Sequence, residues 1–135
     1  MAASGDGAQG PVRTHRDLVA WQKAMDLTVE VFRLRGDLPR DEQFRLIAQW
    51  TRAAASVPAN IAEGRGRATA KDFAQFLSIA RGSLFETDTF LALAVRLGYL
   101  SAPLVEPCRA LIVEISKMLV ALRTKLLANA AATSA

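Results

Sequence analysis

Cysteine and histidine are almost missing from this chain: one of each in 135 residues. The single thiol, Cys108, excludes an intrachain disulfide, and with His15 as the one imidazole no zinc-ligand spacing exists. Cys108 falls on an apolar stripe and reads as a core residue, and His15, at the start of the first helix, offers no basis for a catalytic triad. A reducing interior suits such a chain, so a cytoplasmic location is expected. No apolar run approaches the ~18 residues that cross a bilayer, and the start, "MAASGDGAQGP", lacks the charged-then-apolar pattern of a secretion signal. No membrane partner is expected. Also missing are a G-x-x-x-x-G-K-[ST] phosphate loop, a G-x-S-x-G elbow and the E-x-x-H pairs of di-metal bundles. No enzyme activity, catalytic residue, cofactor or metal is therefore expected. Nor does any stretch alternate apolar and polar residues as a half-buried strand does.

What is present is a helical pattern. Half the residues are apolar (51%) and glycine and proline are few, which is the composition of a folded chain long enough to bury a core. Residues 1–13 are small and polar and read as a disordered tail, residues 14–128 as the folded unit, and 129–135 as a frayed end. Four segments repeat with the 3.6-residue period, near 16–35, 39–63, 70–97 and 103–127. The first carries a T-x-x-D capping signal (Thr14, Asp17) and ends at Gly36. The second starts at Pro39 and places Phe44, Ile47, Trp50, Ala54, Val57 and Ile61 on one face. The third is capped by Thr69 and stopped by Gly98, with Gly82 and Ser83 mid-helix where small residues admit a neighbouring helix. The fourth repeats Leu104, Cys108, Leu111, Ile115, Leu119, Leu122 and Leu126. Four helices with short links predict an all-α, antiparallel up-down-up-down bundle. The first helix has an apolar arc of roughly 220°, against the ~100° that a small bundle needs. The excess predicts a partner subunit.

The stretch "SVPANIAEGRGR" (56–67) raises the functional question. Pro58 removes one backbone hydrogen bond and crowds the carbonyl of Ala54, yet the apolar pattern keeps its phase from Trp50 through Val57 to Ile61. The expectation is a kinked helix with Gly64 as its stop, and with Asn60 and Glu63 satisfying groups freed near the kink. "GRGR" has two readings: a glycine-rich cradle for phosphate beside the third helix's N-terminus, or a helix stop followed by a basic turn. The net charge is +4, and thirteen of the seventeen basic residues are arginine. That choice suits nucleic acid and equally suits a GC-rich genome. The candidate nucleic-acid contacts are Arg65, Arg67 and Lys71 around the turn, with Arg45 and Arg52 seven apart on the second helix.

"RDLVAWQKAMDL", "SVPANIAEGRGR", "DFAQFLSIARGSLFE" and "RLGYL" together resemble the four-helix-bundle proteins encoded in 23S rRNA intervening sequences, over residues 14 to 125. The accessory variability protein of diversity-generating retroelements is similar. Ser56, Pro58, Asn60, Ile61, Ala62, Glu63 and Gly64 match one motif; Ala80, Gly82, Ser83, Leu84 and Glu86 match the other. The resemblance implies that these residues are architectural and that the bundle assembles into a ring-like homopentamer. For the retroelement relative it also implies a basic surface that binds nucleic acid and a reverse transcriptase. The resulting expectation is a non-enzymatic oligomer that binds RNA or DNA electrostatically; the alternative is a scaffold that docks a partner protein.

Overall fold

The computed structural model describes residues 11–134; the tail expected at 1–13 lies for the most part outside the described residues. Four helices carry the fold: α1 (Val19–Leu34), α2 (Ala48–Arg65), α3 (Ala70–Arg96) and α4 (Ala102–Ser134), with no strand among the described residues. Their cross-helix pairs run in opposite sequence order. Arg81 meets Ser116 and Asp88 meets Arg109 between α3 and α4. Ser56 meets Ser83 and, at the ends of the same pair of helices, Gly64 abuts Phe73 while Glu42 meets Tyr99. Neighbouring helices are therefore antiparallel, as short links between packed helices require. No described helix is long and apolar enough to cross a membrane.

The faces predicted from period fill one core. Leu27, Val31, Trp50, Val57, Ile61, Leu77, Leu84, Leu91, Ile115 and Leu119 are fully buried. Cys108 is among the core residues, and burial in apolar surroundings pushes its thiol up to about 11. The first helix departs from expectation at its start. The Thr14–Asp17 capping box is present, but it caps a single 3-10 turn (His15–Asp17), after which extended backbone at Leu18 re-aims the chain into α1. At the other end, the alanine-rich segment expected to fray is helical as far as Ser134, in keeping with alanine's helix propensity.

The largest departure is at the entry to α2. A 3-10 turn (Arg40–Glu42) passes into a π-helical turn (Gln43–Ile47) before regular α-helix begins. A π-turn adds a residue to the turn and rotates what precedes it. Phe44, expected inside, is 94% exposed, whereas Leu46 and Ile47 are buried. Glu42 is buried in its place, where it accepts a 2.6 Å hydrogen bond from the Tyr99 hydroxyl and pairs with Arg45 at 3.3 Å. That hydrogen bond raises the Tyr99 pKa above its ordinary value. In the first turn of α4 Val105 is buried and Leu104, expected inside, is exposed, while Cys108, Ile115 and Leu119 keep the expected face.

Across Pro58 the helix is continuous, and Val57, Pro58 and Ile61 are all buried. The carbonyl that the proline frees is that of Ala54, and α1 brings a donor to it: Thr28 Oγ1 lies 3.1 Å from Ala54 O, its single proton shared with Ala24 O of its own helix at 2.8 Å. The expected role of Asn60 is met only in part. Its amide donates to the Ser56 carbonyl and to Ser56 Oγ, both at 2.8 Å, and Ser56 Oγ in turn meets Ser83 Oγ at 3.0 Å. Thr87 continues this polar seam by donating to the Ser83 carbonyl at 2.8 Å. Glu63 takes no part in it.

Candidate nucleic-acid interface

The α2–α3 turn is where the basic candidates converge, and Gly64 explains why the turn is so tight. Gly64 is buried inside α2 rather than stopping it. A Cβ there would lie 2.7 Å from Phe76 Cβ and 2.9 Å from Phe73 Cδ1, so only glycine lets the end of α2 approach the first turns of α3. Gly66 makes the cap without a positive φ, its N–H bonding to the carbonyls of Ala62 and Glu63 at 3.2 Å. The Arg67 N–H bonds to Gly64 O at 3.1 Å, and the Asp72 N–H is taken by Thr69 Oγ1. These donors of the turn already have partners, which favours the basic-turn reading of "GRGR" over the phosphate cradle. Gly98, by contrast, is the one described glycine with positive φ (+80°), and it closes α3 as expected.

Side chains carry the charge of the turn. Arg67 pairs with Glu63 at 2.7 Å and lies over the Phe76 ring, 4.7 Å from its centroid. Lys71 is exposed and has no partner among the described residues. Arg65 reaches back to the segment before α1, where its guanidinium donates to the carbonyls of Val12 (3.4 Å) and Arg13 (3.3 Å). That bridge adds two bases that sequence reasoning passed over. Arg13 and Arg16 are both exposed, and Arg16 lies 5.6 Å from the Trp21 ring centroid, with His15 edge-on to the same ring. Asp17 is held by the N–H groups of Arg13 (2.9 Å) and Thr14 (3.2 Å), which lower its pKa. The signal for Arg13 and Arg16 was available: antiparallel packing sets the start of α1 beside the end of α2.

The remaining candidates do not join this cluster. Arg45 lies at the far end of α2, roughly 30 Å along the helix from Arg65, and is paired with Glu42. Arg52 stands between them, exposed and without a partner among the described residues. The basic end of the bundle is thus Arg13, Arg16, Arg65, Arg67 and Lys71, with Asp17 engaged by backbone and Glu63 by Arg67. The two best-placed aromatic faces, Trp21 and Phe76, already carry a guanidinium. The arrangement therefore suits phosphate contacts rather than stacking of bases. Among the described residues no group of three His, Cys, Asp or Glu side chains is placed to hold a metal ion.

Of the motif residues, Ser56, Asn60 and Ser83 form the α2–α3 seam, and Pro58 and Gly64 shape α2. Gly82 and Glu86 do not fit the expected role within one chain. Beyond its chain neighbours and its own helix backbone, nothing lies within 4 Å of where a Gly82 Cβ would be, and Glu86 is exposed with no partner among the described residues.

Comparison with known proteins places this geometry in context. A family model described as 23S rRNA-intervening sequence protein matches residues 16–121. A crystal structure of a protein of unknown function from the S23 ribosomal protein family of Bacteroides thetaiotaomicron is similar to the chain at 27% identity and a TM-score of 0.72. That match covers 78% of this chain and 98% of the other. No curated protein matches the chain.

Proposed function

The chain belongs to the family of 23S rRNA-intervening sequence proteins, and from that premise we propose a non-enzymatic, homo-oligomeric helical bundle that binds RNA or DNA electrostatically at its basic end. One observation carries the reading: Arg65 ties the segment holding Arg13 and Arg16 to the turn holding Arg67 and Lys71. Two stretches far apart in sequence thereby supply one basic surface, on which Asp17 and Glu63 are already engaged. A single copy reaches few phosphates, and such a site is weak at physiological salt. Copies linked in one scaffold act at high effective concentration. Met25, Val29 and Phe32, large apolar side chains left exposed on α1, support assembly. The subunit number five rests on the family resemblance.

The test is a fluorescence titration of labelled duplex and single-stranded oligonucleotides at several salt concentrations. Binding is expected to tolerate any sequence, to weaken steeply with salt, and to lose about 0.9 of duplex salt slope for each phosphate contact removed. Arg16→Gln with Lys71→Gln should therefore reduce the slope by about 1.8 per copy engaged, while Arg45→Gln, at the opposite end, should leave it unchanged. Absence of binding at low salt would refute the reading, as would equal losses from both ends. A second reading, docking of a partner protein such as a reverse transcriptase, is favoured by one feature. Phe44 projects from the π-turn beside a groove lined by Leu46, Phe90, Leu93 and Leu97. Salt-insensitive capture of a protein, lost on Phe44→Ser, would support it.

A further inference from the structure

Glycine in a helix interior is destabilising relative to alanine, so its presence asks for a packing reason. Gly64 has one within the chain; Gly82 does not, since a Cβ there would meet nothing within 4 Å. At 100° per residue Gly82 shares an outward arc of α3 with Ile79, Glu86 and Leu93. Ile79 and Leu93 are large exposed apolar residues, and Glu86 is the one charge among the four. A second unpartnered stripe, Met25, Val29 and Phe32, lies on the outer side of α1. The guanidinium of Arg35 stands at its rim, 5.0 Å from the Phe32 ring centroid.

We infer that a second copy of this chain docks its α1 stripe on the α3 stripe, seating Val29 against Gly82. This rests on the homo-oligomer proposed above and names its interface. The two stripes match in register. Met25, Val29 and Phe32 climb α1 over the same seven residues that Ile79, Gly82 and Glu86 climb α3. Parallel packing then sets Met25 against Ile79 and Val29 over the glycine. It also brings Phe32, with Arg35 beside it, to Glu86, so the unpaired carboxylate meets a guanidinium. Parallel is the orientation symmetry demands. In an up-down-up-down bundle α1 and α3 point the same way, and rotation about an axis along the bundle keeps them so. Two different surfaces meeting head to tail generate a ring when the rotation closes. Each face is modest in size: about 25 Å along α1 by two helices, ~20 Å, is on the order of 500 Å² per partner, or about 1,000 Å² in all, which is below the ~800 Å² per partner of a standard interface and at the lower bound for a specific one, and a ring repeats it on both sides of every copy. Every basic end then lies on the same side of the ring.

Light scattering with two face variants and their mixture tests this. Val29→Glu alters an exposed α1 residue and drives a carboxylate into the notch at Gly82, one helical turn from Glu86. Gly82→Gln fills the notch on α3 with a better helix former in open space, so folding is not put at risk. Wild type should show several subunits, and each variant alone should fall to 14.6 kDa. An equal mixture should form a heterodimer of about 29 kDa, twice the 14.6 kDa chain, because the intact α1 face of Gly82→Gln docks on the intact α3 face of Val29→Glu. Loss of assembly in only one variant would indicate like faces meeting and would overturn the inference. So would assembly that survives both changes, though the oligomer itself would stand. A monomeric wild type would overturn the oligomer and its interface together.

Discussion

Thr28 and Pro58 should be energetically coupled although they lie on different helices. Pro58 lacks the N–H that would bond to Ala54 O, and the Thr28 hydroxyl supplies a donor at 3.1 Å. Ala54 is fully buried, so its carbonyl has no recourse to water. Thr28→Val keeps the shape and removes the donor; leaving a buried acceptor unpaired costs about 1–3 kcal/mol. The added methyl is half-buried and offsets part of this, so a net loss of about 1–2 kcal/mol is expected. Pro58→Ala restores the backbone N–H to Ala54 O, while losing buried ring carbons and about 0.4–1 kcal/mol of unfolded-state restriction. In that background Thr28→Val should cost less than about 0.5 kcal/mol, because the carbonyl no longer depends on it. The coupling is then about 1 kcal/mol, above the 0.3–0.5 kcal/mol error of additivity. Urea denaturation followed by circular dichroism measures it, at fixed protomer concentration because assembly adds concentration-dependent stability. Equal costs in both backgrounds would mean that Thr28 serves only Ala24 O of its own helix, and would refute the argument.

Gly64→Ala should destabilise by about 1–3 kcal/mol in denaturant titration, since the new Cβ meets Phe76 Cβ at 2.7 Å. Gly82→Ala should stabilise an isolated protomer by up to about 1 kcal/mol, as its site is open. Cys108 should resist a maleimide at pH 8 until the chain unfolds, being buried and held protonated. Its folded pKa, about 11, exceeds the unfolded 9.0, so the folded chain binds the proton more tightly. Its stabilisation is complete below pH 9 and is lost as pH rises through 11, and Cys108→Ala should flatten that alkaline slope. Tyr99→Phe removes the hydroxyl that donates to buried Glu42 and should lower the melting temperature, with Arg45→Gln adding to the loss.

Helical period made most of the fold legible, because burial imposes it directly: from Trp50 to Ile61 the expected face is the buried one, and from Leu77 to Ala94 the buried residues recur at the helical period that marked the third segment. It failed where the backbone leaves the α-helical repeat. Phe44 reads as inward only if α2 is regular from Pro39, and the π-turn breaks that assumption. Nothing local in "RDEQFRLI" announces a π-turn. Its support is the Glu42–Tyr99 bond, a contact 57 residues away in the chain. The satisfaction of Ala54 O was hidden for the same reason, since the donor sits on another helix. Gly64 was misread because a glycine near a helix end serves equally as a stop or as a point of close approach, and only the neighbouring phenylalanines decide.

The site was legible in part, and the gap is instructive. Arg65, Arg67 and Lys71 are close in sequence and so announced themselves, whereas Arg13 and Arg16 join them only through antiparallel topology. Arg45 entered the list by a seven-residue spacing that the π-turn invalidates as a measure of position. The motif residues divide in a way sequence could not show. Ser56, Pro58, Asn60, Gly64 and Ser83 are accounted for by hydrogen bonds and contacts inside one chain. Gly82 and Glu86 belong to the same motif and have no such account. An otherwise unfavourable glycine and an uncompensated carboxylate on the solvent face of one helix are what the proposed interface accounts for. Together with the oversized apolar arc of α1, that is the reason the proposed contact between copies joins the unexplained part of the motif to the surplus of the first helix.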